Sequence, residues 1–307
     1  MGTDDVRLGV VVVNYFSSSQ VKDLLDSLRT AGSGCETYVC VVDNSCSDQQ
    51  FETLVHDLRD LASAFAALKI VRSESNMGYG RGNNLGWATL RAYKPETVLI
   101  ANPDVVFLSG NLAGAMTRVR DSAGSIFGTP TRHGSNNLSG LASVSITTGS
   151  SRQLYEGADL PTSILIYPGG HFLAVSADTW EIMGGFSEDF FLYGEEADLT
   201  LRMKNRLPSS KVDVLTEIAV AHSGGLTTGS SGEDRKSVTT YRHGTRSSIV
   251  LFRKHRELRP RWPLIVALRC VFGLKTFLLE GPRAGIAVFL GVVDGLCWRP
   301  ANEPSFQ

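Results

Sequence analysis

LGVVVVNY, residues 8–15, is an apolar run of six residues that ends in an asparagine. It is too short for a helix and rich in valine, which suits a strand buried on both faces of a parallel sheet. Acids at Asp4 and Asp5 precede it and polar residues follow it, so it lacks the basic flank and the length of a signal peptide. Over residues 20–29, Val21, Leu24, Leu25 and Leu28 recur at helical spacing, and residues 38–42 repeat the strand signature. The alternation continues with a helix over 51–61, a strand over 68–71, a helix over 84–92 and a strand over 98–101. Strands alternating with helices predict an open α/β sheet with right-handed crossovers.

In such sheets ligands bind outside the carboxyl ends of the strands. Four polar loops fall there: Asn14-Tyr15, Asp43-Asn44-Ser45, the glycine-rich NMGYGRGNN of residues 76–84, and Asn102-Pro103-Asp104. Asp43 is placed either to hydrogen-bond a ribose or base edge or simply to make a short turn. The glycine-rich stretch either admits a phosphate, with Arg81 adding a charge-assisted contact, or is a turn before a helix. Pro103 stops the strand ladder and so presents Asp104 at the edge, where a hard cation could be held. One carboxylate is a poor magnesium site alone. His222 also lies where an apolar run ends in glycines, as a ligand or a structural histidine. The densest acidic cluster is FFLYGEEAD, residues 190–198. Crowded carboxylates beside aromatics have raised pKa values, which serves a general base near neutral pH; the same acids also suit a helix N-terminus.

The 307 residues carry a formal net charge of -1, but residues 235–283 hold twelve Lys or Arg against only Glu257 and Glu280. That stretch is therefore +10 and the remainder about -11. Five cysteines form no C-x-x-C pair, which excludes a zinc knuckle and a disulfide framework and fits a reducing cytoplasm. Residues 124–163, rich in Gly, Ser, Thr and Asn, predict irregular loops with short strands. Order returns with a strand over 171–175, a helix over 197–206 and strands over 212–215 and 218–221, and residues 226–237 predict a mobile loop that could act as a lid. A helix is expected over 241–255, followed by apolar runs at 262–268 and 285–293 that are short for a spanning helix. Their basic and aromatic neighbours suit an anionic membrane surface; an amphipathic helical pair packed on the core or on a second copy is the alternative. No nucleic-acid motif accompanies the charge, and the first turn lacks the glycines of a dinucleotide oxidoreductase.

In this order, VVVNY, VVDNS, NMGYGRGNNLG, ANPDV, GGHFLAV, GGFSEDFFLYGEEADLTLR and AHSGG resemble glycosyltransferase family 2, the inverting enzymes of the GT-A fold. The NPD form and the FFLY-x-E-x-x-DL-x-x-R block resemble its bacterial rhamnosyltransferase branch. The resemblance implies a GT-A domain over residues 1–235, with a nucleotide-sugar half to about 106 and an acceptor half beyond, and a basic helical region over 236–307. It implies that Tyr15, Asp43, Asn76, Gly78 and Arg81 line the nucleotide and diphosphate. It gives Asp104 and His222 to Mg²⁺ or Mn²⁺, with Asn102 in place of the first acid of the family's D-x-D element. The base falls in Glu195-Glu196, with Glu196 favoured and standing where the family commonly has Asp. Gly170 and His171 shape the pocket for donor sugar and acceptor, Asp198 orients the site or caps its helix, and Arg246 lies in the basic helix behind it. The expected reaction moves L-rhamnose from dTDP-L-rhamnose to a polyprenyl-diphosphate-linked saccharide at the cytoplasmic face of the plasma membrane. Galactofuranose or a UDP-hexose or UDP-N-acetylhexosamine are the alternative donors, and a non-catalytic scaffold of a glycan-assembly complex is the alternative role.

Overall fold

The computed structural model describes residues 6–31, 34–158, 163–223 and 237–300. Its first half follows the predicted alternation: β1 (Val6–Asn14), α1 (Ser18–Ala31), β2 (Cys35–Asp43), α2 (Asp48–Leu58), β3 (Ala67–Arg72), α3 (Gly78–Leu90) and β4 (Thr97–Ala101). β1 pairs in parallel with β2 and β4, and β2 with β3. Successive strand residues point to opposite faces. Val10 and Val12 therefore meet Val21, Leu24 and Leu25 of α1, while Val11 meets Trp87 and Leu90 of α3. Cover on both faces explains why the opening run has no polar position.

The glycine-rich stretch departs from its expected loop: residues 78–84 form the first two turns of α3. Tertiary contacts offset the low helix propensity of glycine there. The Tyr79 amide donates to the Phe191 carbonyl (2.8 Å) and the Asn84 side-chain amide to the Phe186 carbonyl (2.8 Å).

The chain continues through β5 (Val105–Gly110), α4 (Leu112–Asp121), β6 (Ser125–Gly128), β7 (Thr131–His133), β8 (Asn136–Ser145), β9 (Ser151–Tyr155), β10 (Ile164–Pro168), β11 (Phe172–Ser176), α5 (Ala177–Met183), α6 (Glu195–Arg206), β12 (Lys211–Val214) and β13 (Ile218–His222). β11 lies antiparallel to β4 and extends the main sheet to seven strands, in the order β12-β6-β11-β4-β1-β2-β3. β5, β7, β8, β9, β10 and β13 make a second, six-stranded sheet. Residues 124–163 thus hold more regular structure than their composition predicts, because strand pairing across this sheet supplies the order that local periodicity lacks. The expected lid over 226–237 lies, apart from Ser237, outside the described residues.

Three helices close the chain: α7 (Val238–Lys254), α8 (Trp262–Glu280) and α9 (Pro282–Leu296). The apolar runs prove to be parts of longer helices. Among the described residues, 259–280 is the one helical stretch, 22 residues, long and apolar enough to cross a bilayer by length and composition. Arg269 and Lys275 lie within it, since long aliphatic stems let a basic residue sit in an apolar helix. α9 packs on α7, and α8 and α9 leave Leu264, Val271, Leu274, Leu278, Ile286 and Val293 exposed.

Candidate active site

The loops at the carboxyl ends of the strands meet the second sheet and α6 in a cleft of about 770 Å³. It is lined by Asn102, Asp104, Gly170, His171, Glu195, Glu196 and His222, drawn from four separate stretches of the chain. α7 and α8 contribute to the same wall.

Asp104 follows Pro103 at the end of β4, and His222 ends β13, which pairs with β5 so that His222 stands opposite Val105. That register brings His222 Nε2 to 3.2 Å from Asp104 Oδ1. The oxygen is sealed from solvent and lacks a well-directed hydrogen bond. Burial works to raise the Asp104 pKa, but the adjoining His222 outweighs it and holds the carboxyl below its ordinary value. An under-bonded carboxylate oxygen beside an imidazole nitrogen is a donor pair that fits a divalent ion. Among the described residues no three His, Cys, Asp or Glu side chains converge as a complete metal site. Two protein ligands suffice for magnesium when substrate phosphates and water complete the shell.

His171 is not a third ligand in this arrangement. It is buried, with Nε2 2.6 Å from Thr131 Oγ1 and its ring stacked on His222 at 4.7 Å between centroids. Burial, reinforced by His222, pushes its pKa down to about 3, so it stays neutral and orients its neighbour. His133 Nδ1 donates to the His222 carbonyl oxygen at 2.8 Å and fixes the same residue from the backbone side.

The acidic wall is the first turn of α6. Tyr193 (φ 68°) and Gly194 (φ 94°) both take left-handed backbone conformations just before it. A non-glycine residue there is unfavourable and has to be held by its surroundings. The Ser247 hydroxyl of α7 donates to the Leu192 carbonyl (3.0 Å), and the Tyr193 and Thr240 hydroxyls bond to each other (3.0 Å). Glu195 is fully buried and neither of its oxygens has a hydrogen-bond partner. Desolvation first, then repulsion from Glu196, raises its pKa well above the carboxylate range, against the pull of Arg246. Glu196 is half-buried, and desolvation raises its pKa to about 7. Room for its carboxylate exists because residue 170 is glycine: a Cβ there would fall 1.8 Å from Glu196 Oε1. The Tyr79 hydroxyl donates to the Gly170 carbonyl at 2.6 Å and holds this segment in place.

Other expected site residues stand apart from this cleft. Asp43 is fully buried, accepting from Asn14 Nδ2 (3.0 Å), Ser45 Oγ (2.8 Å) and the Ser45 amide (3.2 Å), so it organises its own loop. Asn76 Oδ1 accepts from the Gly78 amide at 3.1 Å, which with the Tyr79–Phe191 bond occupies the first amides of α3. Arg81 pairs with Glu188 at 3.1 Å, and Tyr15 is exposed at the end of β1. Asp198 faces away into a buried ionic group with Arg202 Nε (2.7 Å), His255 Nε2 (2.9 Å) and Lys254 Nζ (3.0 Å). Burial alone would raise its pKa, but His255, Arg202 and Lys254 hold it far below the ordinary range. Arg246 donates to the Asp189 carbonyl at 2.7 Å, bracing the loop before α6. Sequence reasoning assigned no role to Tyr79, Thr131 or His133. Tyr79 stood inside a quoted motif, whereas Thr131 and His133 lie in a turn-rich stretch without a period to mark them.

A seven-stranded mixed sheet between helices, with a polar cleft at the carboxyl ends of its parallel strands, is the GT-A architecture, and solved structures bear this out. The crystal structure of GalNAc-T7 with UDP, GalNAc and Mn²⁺ matches 96% of this chain and 55% of that one at a TM-score of 0.62 and 11% identity. The mannosyltransferase PcManGT of Pyrobaculum calidifontis, in complex with GDP-Man and Mn²⁺, matches 95% of this chain and 87% of that one at 0.53 and 12%. Among curated proteins, the low-salt glycan biosynthesis hexosyltransferase Agl10 of Haloferax volcanii is 26% identical over 211 residues, or 64% of this chain. That match spans 61% of the relative's length. No protein-family model matches the chain.

Proposed function

We propose that the chain is a metal-dependent inverting glycosyltransferase that uses a nucleotide-sugar donor. The observation that carries this reading is the cleft itself: the Asp104–His222 pair, with its buried, under-bonded carboxylate oxygen, and Glu196, whose pKa desolvation raises to about 7, line one cavity. Asp104 and His222 would hold Mg²⁺ or Mn²⁺, which when bound would neutralise charge on the nucleoside diphosphate. Glu196 accepts the proton of an acceptor hydroxyl as its oxygen bonds to the anomeric carbon. The bond from that carbon to the diphosphate oxygen breaks, and its electron pair leaves with the nucleoside diphosphate. A base with a pKa close to the working pH is best matched to this step. Glu195, kept protonated by burial, leaves Glu196 as the base.

For the finer assignment we take dTDP-L-rhamnose as donor and a polyprenyl-diphosphate-linked saccharide as acceptor, on the resemblance of the NPD and FFLY-x-E-x-x-DL-x-x-R segments to bacterial rhamnosyltransferases. The exposed apolar face of α8 and α9, with Arg259, Arg261, Lys275 and Arg283 exposed on the same helices and the turn before them, supports a peripheral position on the inner face of the plasma membrane. A hexose donor is the second reading, favoured by the hexosyltransferase relative and by neighbours crystallised with UDP or GDP-Man. The test is transfer to a synthetic lipid-diphosphate-GlcNAc with Mg²⁺ or Mn²⁺ and a panel of dTDP-, UDP- and GDP-sugars, read by mass spectrometry. A gain of one deoxyhexose from dTDP-rhamnose alone supports the assignment. A gain of one hexose from a UDP- or GDP-sugar replaces the donor. Nucleotide binding without transfer from any donor to any lipid-linked saccharide points to a scaffold.

A further inference from the structure

Arg269 is a cation of this cleft that has no counter-charge among the described residues. It lines the cavity from α8, and its Nε is sealed from solvent with no hydrogen-bond partner. Its guanidinium donates only to neutral oxygens, from Nη2 to the Gly149 carbonyl (2.5 Å) and to the Ser248 hydroxyl (2.9 Å). Among the described residues no carboxylate pairs with it, whereas Arg118, Arg202 and Arg242 each have one. A guanidinium does not shed its proton to escape burial, so a poorly solvated one without a counter-charge is costly. Desolvation accordingly lowers its pKa, with no opposing contribution from an acid. An incoming anion would remove that cost.

The position of Arg269 on α8 selects the kind of anion. Ile265, Arg269, Phe272 and Thr276 follow one another at helical spacing along the inward side, with Ile265 and Thr276 buried and Arg269 and Phe272 on the cleft. Leu264, Leu268, Val271 and Leu278 run along the other side and are exposed. The helix therefore offers a cation toward the cavity that holds Glu196 and an apolar surface outside it. A free phosphate would need only the first. A molecule that joins an anionic group to a long apolar chain uses both.

We infer that Arg269, with Ser248 and Phe272, forms the recognition site for the diphosphate of a prenyl-linked acceptor, whose hydrocarbon lies along the exposed face of α8. The inference rests on the transferase reading for the saccharide that the diphosphate carries, but binding through Arg269 requires neither donor nor metal ion. That independence separates its failure from failure of the proposed function.

The test is calorimetric binding of farnesyl diphosphate, inorganic pyrophosphate and farnesol to the full chain without nucleotide. Flotation with vesicles of neutral or anionic phospholipid runs alongside, for the wild type and for Arg269→Gln, Arg269→Lys and Ser248→Ala. Removing a desolvated charge that has no counter-ion relieves its burial cost, so Arg269→Gln is expected to keep the wild-type melting temperature. Farnesyl diphosphate should bind at least about tenfold more tightly than pyrophosphate or farnesol. Arg269→Gln should weaken it by about tenfold or more, Ser248→Ala by less, and Arg269→Lys should restore part of the loss, since Lys keeps the charge without the planar fork. Equal binding by wild type and Arg269→Gln overturns the inference. So does pyrophosphate binding as tightly as farnesyl diphosphate, or an Arg269 dependence confined to anionic vesicles, which would assign the cation to a phospholipid headgroup. Arg269-dependent binding in a protein that transfers no sugar would sustain the site while removing the proposed activity.

Discussion

Glu196 and Asp198 stand two residues apart on one helical turn, and their carboxyls are driven in opposite directions. Glu196 meets the cleft, where desolvation outweighs a backbone hydrogen bond and its pKa rises to about 7. Asp198 meets the end of α7, where Lys254 and His255, with Arg202 from its own helix, surround it and hold it ionised. Successive positions on a helix point about 100° apart, so one turn can serve the cleft on one side and a cationic anchor on the other. A reactive carboxylate needs incomplete solvation, and its backbone needs a fixed mount; α6 divides the two tasks between neighbouring acids.

Substitutions at the two positions should therefore separate. Glu196→Gln is expected to lower kcat on the order of 100- to 10,000-fold with nucleotide binding retained, the usual range for losing a general base. Single-turnover transfer measures it, and unchanged turnover would sink the assignment. Asp198→Asn should act on stability instead, by about 3–5 kcal/mol, because it strands buried cations without their counter-charge. Urea unfolding midpoints compare it with wild type, and a loss below 1 kcal/mol would deny it the anchoring role. Gly170→Ala puts a Cβ where the Glu196 carboxylate now lies. A displacement of that size should cost roughly 100-fold in kcat while the melting temperature holds.

The pH dependence sharpens the contrast. With Glu196 as the base, log kcat should climb about one unit per pH unit below about 7 and level off above it. A profile flat from pH 5 to 8 would contradict this. For stability the sign is opposite. The folded state holds the Glu196 proton more tightly than the unfolded chain, so stability falls as pH rises from the ordinary carboxylate range through about 7. Glu196→Gln should flatten that fall by on the order of 1 kcal/mol, the smallest effect here. Asp198, held low, contributes stability that is present above its unfolded pKa and declines only in strong acid.

The sheet was legible in the sequence because its pattern is local. Residues 8–13 and 38–42 declare strands by composition, and Leu24, Leu25 and Leu28 declare a helix by spacing. The cleft was legible as a set of residue types but not as a geometry. The residue patterns mark Asp104 and His222 separately and the family resemblance joins them at one metal ion, but the physical reason they are neighbours is the pairing of β5 with β13. Asp43 shows the converse: its position at a strand end invited a ligand, while its own loop satisfies both oxygens. The glycines of residues 78–82 concealed a helix because propensity measures the isolated backbone, whereas here Phe186 and Phe191 supply the partners. Arg269 carried no local signal at all; its meaning comes from what is missing around it.

The bond from Ser247 to the Leu192 carbonyl also bears on the order in which the molecule is assembled. The chain leaves the ribosome N-terminus first, and the parallel strands β1 to β4 all lie within residues 6–101, so their partners emerge early. The strained turn at Tyr193 and Gly194 must wait for contacts 47 and 55 residues further on. We therefore expect a nascent chain that already holds a protease-resistant sheet but has no ordered acidic wall until α7 emerges. Pulsed proteolysis of stalled chains would show cleavage near residue 193 vanishing only after α7 is released, and protection before that point would contradict this order. Such a chain passes through synthesis with its chemistry switched off.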